Sequence, residues 1–224
     1  MKNKLRIVAL CVFIVLSLGV LSSCSHEFEY TPERIYEKVN PSVVCVMMET
    51  SGLAVSGSGV FINSDGVVLT SYHVVNKGGE GRIILSDSST ANIKSILLYD
   101  EELDLALLKT DAKDTIPAAL SSRESVEIGE DVYAIGYPRA YELGSSTSTF
   151  TCGMISAKRM RNGVKYVQST VDVTEGNSGG VLVDSHAKVV GIVASAIDIE
   201  DVDYMNLSVF VGQVREFAKD YISD

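Results

Sequence analysis

Gly57-Ser58-Gly59-Val60-Phe61-Ile62-Asn63-Ser64-Asp65-Gly66-Val67-Val68-Leu69-Thr70, residues 57–70, sets two short apolar runs on either side of an Asp-Gly pair. Val, Ile and Phe suit extended, pleated backbone, and Asp-Gly supplies the positive φ that a tight hairpin turn requires. The stretch predicts two antiparallel strands, 57–62 and 67–70, joined by the turn Asn63–Gly66. Working outward, similar runs recur at 42–48, 82–85, 93–99 and 103–108. Residues 110–127 are polar, contain Pro117 and read as a linker, with its core at 113–127. A second set of strands follows at 131–136, 149–157, 166–170, 180–183, 189–196 and 206–211.

Helices are expected only at the ends. Thr31-Pro32-Glu33 reads as a cap, then Pro at the first helical position, then an acidic first turn, with Pro41 closing the helix near Val39. Val214, Phe217, Ala218 and Tyr221 fall at helical spacing within 213–222. The expected fold is all-β: two six-stranded antiparallel barrels, 31–112 with the first helix and 128–224 with the last. A sandwich with extra strands would give a similar list of runs.

Composition agrees with a globular β protein: 46% hydrophobic, 21% charged and no Trp among 224 residues. The first 23 residues stand apart. Lys2, Lys4 and Arg6 make a positive start, Leu5–Val20 is an apolar run that overlaps it at Arg6, and Leu21-Ser22-Ser23-Cys24 closes it. This resembles a bacterial lipobox, which would leave an acylated Cys24 at the start of the mature chain and 24–30 as a tether. A membrane-spanning anchor, or a secretory signal with a chance Cys, is the alternative; the run is short for a span. Loss of the leader removes three positive charges and no negative ones, taking the formal charge from -10 to -13. Such acidity argues against nucleic acid as a partner, and equally against electrostatic attachment to anionic lipid. Cys11 lies in the leader, so Cys45 and Cys152 are the cysteines of the folded part, both in apolar runs that predict buried thiols, with a bridge between them allowed in an oxidising compartment.

The sharpest chemical signal is Gly176-Asn177-Ser178-Gly179-Gly180. Acyl transfer needs an exposed hydroxyl and backbone N–H groups directed at a developing oxyanion, and a tight Gly-rich turn provides both. An ordinary Gly-Ser turn looks the same. The chain has three histidines. His26 lies in the tether, and His186 lies in the polar turn 184–187, where a solvated side chain is expected. His73 ends the apolar strand 67–72. Asp104 opens the apolar run Asp104-Leu105-Ala106-Leu107-Leu108-Lys109, next to Asp100, Glu101 and Glu102. Each of these is unremarkable by itself.

Their joint context resembles the HtrA (Deg) family of serine proteases. Residues 57–62, 65–70 and 73–75 are similar to its histidine segment, 104–109 to its aspartate segment, and 176–180 to its serine motif. Ala134-Ile135-Gly136-Tyr137-Pro138 and Gly153-Met154-Ile155-Ser156 resemble the strands before and after its activation loops. The resemblance spans about residues 35–215. It implies a chymotrypsin-like fold, with Ser178 as nucleophile, His73 as general base and Asp104 as orienting carboxylate. The N–H groups of Gly176 and Ser178 would form the oxyanion hole, with that of Asn177 nearby. No metal or organic cofactor is implied, polypeptides are the implied substrates, and a homotrimer is typical of the family.

Three features depart from the family pattern. The sequence ends at Asp224, where a PDZ domain would begin, which predicts a protease domain without PDZ-based peptide sensing. Glu175 stands where Pro is frequent and Thr170 where Asp is usual. Residues 139–148 form a polar loop with a Ser/Thr run, in the region that orders on activation in the family. Asp172, six residues before Ser178, is spaced like the acid that selects Lys or Arg in trypsin-like enzymes. Ala194, Ser195 and Ala196 would line the substrate pocket, and small to medium apolar side chains are the expected preference. Two functions follow: an envelope protease, or a lipid-anchored scaffold that keeps the fold with a latent site.

Overall fold

The computed structural model describes residues 28–50, 52–143, 147–194 and 206–222. Its twelve strands are β1 (Val43–Thr50), β2 (Leu53–Phe61), β3 (Val67–Ser71), β4 (Glu80–Ile84), β5 (Thr90–Asp100), β6 (Leu105–Thr110), β7 (Asp131–Gly136), β8 (Thr149–Arg161), β9 (Val164–Ser169), β10 (Val181–Asp184), β11 (Val189–Ala194) and β12 (Leu207–Phe210). They close two barrels, in the orders β1-β2-β3-β6-β5-β4 and β7-β8-β9-β12-β11-β10, so the second repeats the connectivity of the first. Every pairing between strands is antiparallel. The barrel expectation holds over the sandwich.

The residues 57–70 hairpin forms as expected. Phe61 pairs with Val68, Gly66 takes φ +78°, and the Asn63 side-chain oxygen accepts the N–H groups of Asp65 and Val67. Period-2 alternation then sorts the side chains. Val44, Val46, Met48, Phe61, Val68, Ile83, Ala106 and Leu108 fill the first barrel. Val132, Ala134, Ile155, Val167, Leu182, Val190 and Phe210 fill the second. The opposite faces of the strands pack the barrels on each other, with Val43, Cys45, Leu69, Leu105, Leu107, Ile135, Tyr137 and Val181 in a shared apolar layer. Each such buried side chain contributes roughly 1.5–3 kcal/mol.

Among the described residues four short α-helices complete the fold. α1 (Pro32–Val39) buries Ile35 and Val39 in the shared layer. α2 (Tyr72–Val75) follows β3, α3 (Ala140–Leu143) follows β7, and α4 (Val211–Ala218) buries Val211, Val214 and Ala218. α4 begins two residues before the expected start. The segment between the barrels is tied down along its length: Ala118 N–H donates to Phe61 O (2.9 Å), and Ser121 N–H donates to Val189 O (2.9 Å). The Asn63 amide also reaches Tyr221 O (2.8 Å), joining the first hairpin to the turn after α4.

Several strands run longer than their apolar patterns: β2 begins at Leu53 instead of 57, and β5 spans Thr90–Asp100 instead of 93–99. β8 runs to Arg161 instead of 157, because Asn162 and Gly163 both adopt positive φ (+49° and +82°) and turn the chain directly into β9. Cys152 corrects another expectation. It is exposed, while Cys45 is fully buried, and both are free thiols. The leader, Cys24 and His26 lie outside the described residues.

Candidate active site

Asp104 sits immediately before β6, and His73 sits in α2, immediately after the neighbouring strand β3, with Ser71 and Leu105 paired across the ladder. Asp104 adopts φ +53°, a left-handed conformation that Asp tolerates better than most residues. The backbone turns there so that Asp104 bonds α2 three ways. Its carbonyl accepts Tyr72 N–H (3.0 Å), one carboxylate oxygen accepts His73 N–H (2.9 Å), and the other lies 2.6 Å from His73 Nδ1. A carboxylate on Nδ1 leaves Nε2 as the ring nitrogen directed elsewhere, the tautomer a general base needs. Of the neighbouring acids, Asp100 accepts the N–H groups of Glu102 and Leu103 in the preceding turn.

The residues 176–180 segment is a tight turn between the two barrels. Asn177 N–H donates to Thr174 O (3.1 Å) and Gly180 N–H to Asn177 O (2.9 Å). The Asn177 N–H, expected near the oxyanion donors, is therefore engaged within the turn. Gly176 and Gly179 have φ of +93° and +83°. Glycine is required at Gly179 by space as well, since a Cβ there would lie 2.2 Å from Ser58 O and 2.8 Å from Ser71 N. That closeness sets the serine turn against the end of β3, two residues before His73. Ser178 itself is almost wholly buried.

Ser58 holds this turn from the first barrel. Its N–H donates to Ser178 O (2.8 Å) and its hydroxyl to Gly176 O (2.7 Å). The same hydroxyl oxygen accepts Tyr137 N–H (2.8 Å), and Ser58 O accepts the Thr70 hydroxyl (2.6 Å). Val193 O on β11 completes the cradle by accepting Gly179 N–H (2.8 Å). On the outer side, Arg139 N–H donates to Glu175 O (3.0 Å). A trans peptide points its C=O and N–H in opposite directions. With Glu175 O turned toward Arg139, the Gly176 N–H faces away from that loop.

A trypsin-like peptidase domain model matches residues 57–192, more than half of the chain. The chain belongs to the trypsin-like peptidases. Within them its relatives are of HtrA type. It is 34% identical over 174 residues to serine protease HTRA1 of Xenopus laevis, covering 70% of this chain and 37% of that one. It is 39% identical over 140 residues to a probable periplasmic DegP-like serine endoprotease of Pseudomonas putida, covering 61% and 28%. The chain thus spans well under half the length of these relatives. Among solved structures, a serine endoprotease from Yersinia pestis is 26% identical, with a TM-score of 0.73 over 87% of this chain and 67% of that one.

The remaining site candidates of this trypsin-like peptidase fall in different places. Ala194 is buried at the end of β11, and Ser195 and Ala196 lie outside the described residues. Asp172 is exposed, and its carbonyl accepts the Thr151 hydroxyl (2.9 Å). His186 is not solvated as expected. Its side chain is 16% exposed and folds toward Asp184, whose carboxylate also accepts the His186 N–H. The described ends of the residues 139–148 loop are docked, since Ser148 donates to the Asn40 side chain (2.6 Å) and the Tyr141 hydroxyl bonds Met48 O (3.4 Å).

Two contributors, Ser58 and the Arg139 N–H, had been assigned no role from the sequence; Ser58 had appeared only as part of a family segment. Tyr166 on β9 is buried, and burial, then the charge of Asp104, raise its hydroxyl pKa.

Proposed function

We propose that the protein is a serine endopeptidase in which Ser178 attacks the substrate carbonyl, His73 takes and returns the proton, and Asp104 orients the imidazole. The observation that carries this reading is the 2.6 Å contact of His73 Nδ1 with Asp104, beside a serine turn clamped by both barrels. Attack forms a tetrahedral oxyanion, for which the N–H groups of Gly176 and Ser178 are the donors. His73 Nε2 accepts the Ser178 proton and delivers it to the leaving amine. Water, deprotonated by the same imidazole, then hydrolyses the acyl-enzyme. The chemistry calls on side chains and backbone alone.

Substrates on this reading are polypeptides of the bacterial envelope or exported through it. Cys24 carries the lipid that holds the enzyme to a membrane, outside the cytoplasm. The peptidase proper is the two-barrel unit from 31 to 224, with 113–127 joining its halves.

A fluorophosphonate probe applied to residues 25–224, beside a Ser178→Ala control, tests the assignment. Labelling of the parent and none of the control is expected. A well-folded protein that takes no label would overturn the reading in favour of a scaffold with a latent site.

A further inference from the structure

The acidity of the chain is not evenly spread. The β8–β9 hairpin carries Lys158, Arg159, Arg161 and Lys165, all exposed, around Met160, which is 66% exposed. Beside it, Arg123, Lys165, Arg215 and Lys219 line a trough of about 680 Å³ that extends to α4. A second hollow of about 350 Å³ lies against the hairpin and shares Glu124, Lys165 and Phe210 with the trough. Seven of the sixteen Lys and Arg residues after the leader gather here, counting all 19 less Lys2, Lys4 and Arg6. Neither hollow includes His73 or any residue of 176–180.

Few of these charges are neutralised. Arg123 pairs with Glu130 (2.8 Å) and lies 3.7 Å from Asp184, and Lys219 pairs with Glu216 (2.8 Å). Lys158 bonds only the Ser125 hydroxyl and Val126 O, and Arg159 only the Gln168 side chain. Among the described residues, none of Lys158, Arg159, Arg161, Lys165 and Arg215 meets a carboxylate. Unpaired cations around a protruding apolar side chain match the polar–apolar boundary of an anionic bilayer, where cations meet phosphates and the apolar tip enters the headgroup layer.

We infer that this hairpin and trough dock the protein on an anionic phospholipid surface. The position of the N-terminal segment selects a bilayer over an acidic polypeptide. Tyr30 N–H donates to Ser185 O (2.8 Å) in the β10–β11 turn, and Asp184 of that turn lies 3.7 Å from Arg123 at the trough wall. From Tyr30 back to Cys24 the chain reaches roughly 20 Å at full extension. A lipid on Cys24 would therefore keep the β10–β11 turn, and the trough wall beside it, within that reach of the headgroups. The choice of occupant rests on the lipid-anchor reading; the charge pattern does not. Net charge argues the opposite because it averages over this face.

Residues 25–224, which carry both barrels without acyl chains, would be sedimented with phosphatidylcholine vesicles and with phosphatidylcholine–phosphatidylglycerol vesicles. Binding at least about tenfold stronger to the anionic vesicles, and weakened by salt, is expected. A Lys158→Glu/Arg161→Glu variant should lose that preference while keeping its circular dichroism spectrum and its fluorophosphonate labelling. Equal sedimentation with both vesicles, or a preference untouched by charge reversal, would overturn the proposal. So would binding to polyglutamate with none to anionic vesicles, which would assign the face to an acidic polypeptide. Palmitate labelling of the full chain in cells, with and without Cys24→Ser, tests the anchor separately. Its failure would remove the anchor and the reason for choosing a bilayer, and failure on vesicles would leave the anchor standing.

Discussion

The backbone N–H of Arg139 donates to the carbonyl oxygen of Glu175 at 3.0 Å, and this bond fixes which way the peptide before Gly176 faces. The serine turn is thus oriented by a main-chain donor in the loop after β7. That donor sits in a residue with φ +46°, which favours glycine. Arg139→Pro removes the N–H and cannot adopt that φ. It should lower kcat by about a hundredfold, the scale of one lost oxyanion donor, with a smaller change in KM. Arg139→Gly keeps the N–H and should retain most activity. Steady-state cleavage of a quenched casein substrate decides this, and wild-type kcat in Arg139→Pro would sink the latch.

Asp104→Asn should keep the fold and lose about 10⁴ in kcat, because an amide on Nδ1 permits the wrong tautomer of His73. Stopped-flow or endpoint hydrolysis of the same substrate measures it. A loss under tenfold would mean that the His73–Asp104 contact is structural only.

Ser58→Ala leaves the buried Gly176 carbonyl and Tyr137 N–H without their hydroxyl partner. Unmet buried groups of this kind cost about 1–3 kcal/mol. Both thermal stability and the rate of fluorophosphonate labelling should fall. Gly179→Ala should be worse, because its Cβ meets backbone at Ser58 and cannot be accommodated by a side-chain rotation. An active, stable Gly179→Ala protein would show the turn to be far more plastic than its packing implies.

Burial pushes the Cys45 thiol up to about 12, so at neutral pH it stays protonated and unreactive in the folded state. Cys152 is exposed. Residues 25–224 contain these two cysteines alone. Ellman's reagent at neutral pH should titrate one thiol in the native protein and both after denaturation. Two fast thiols in the native state would contradict the burial of Cys45.

Asp111 accepts both the backbone N–H and the side-chain amide of Asn92 and pairs with Lys94 at 2.8 Å, which extends the β5–β6 ladder. These contacts, the Lys94 bond foremost, hold its carboxyl below the usual carboxylate range. A carboxylate whose folded pKa is depressed stabilises the fold above its unfolded pKa of about 4 and loses that contribution as pH falls further. Asp111→Asn should therefore lower Tm at pH 7 and lower it progressively less as the pH drops below about 4. Thermal melts across that range test it, and a Tm difference independent of pH would assign the effect to packing.

Much of the architecture was legible because strand signals and turn signals coincide. Apolar runs bounded by Asp-Gly or Pro left few alternatives for β1–β3 and β7. His73, Asp104 and Ser178 stood out only as a series, since each alone resembles an ordinary turn or strand-end residue, and the structure adds the His73–Asp104 contact. The missed parts share a physical reason. Arg139 acts through a backbone N–H that every residue but proline possesses, so its identity carries no signal. Ser58 acts through burial, which is fixed by the packing of two barrels and not by local sequence. The extension of β8 was hidden because Lys158-Arg159-Met160-Arg161 is mostly charged and lacks an apolar alternation, although Asn162-Gly163 marks the turn. Cys152 was misjudged because a single step of strand register decides which face a side chain takes.

Ser58 and Gly176 are 118 positions apart, yet the hydroxyl of one holds the carbonyl of the other. His73 and Asp104 meet within the first barrel alone, while Ser178 stands in a turn whose shape depends on Ser58 of that barrel. On the proposed reading, a working site therefore exists only where both barrels are folded and docked, and a first barrel by itself would cleave nothing.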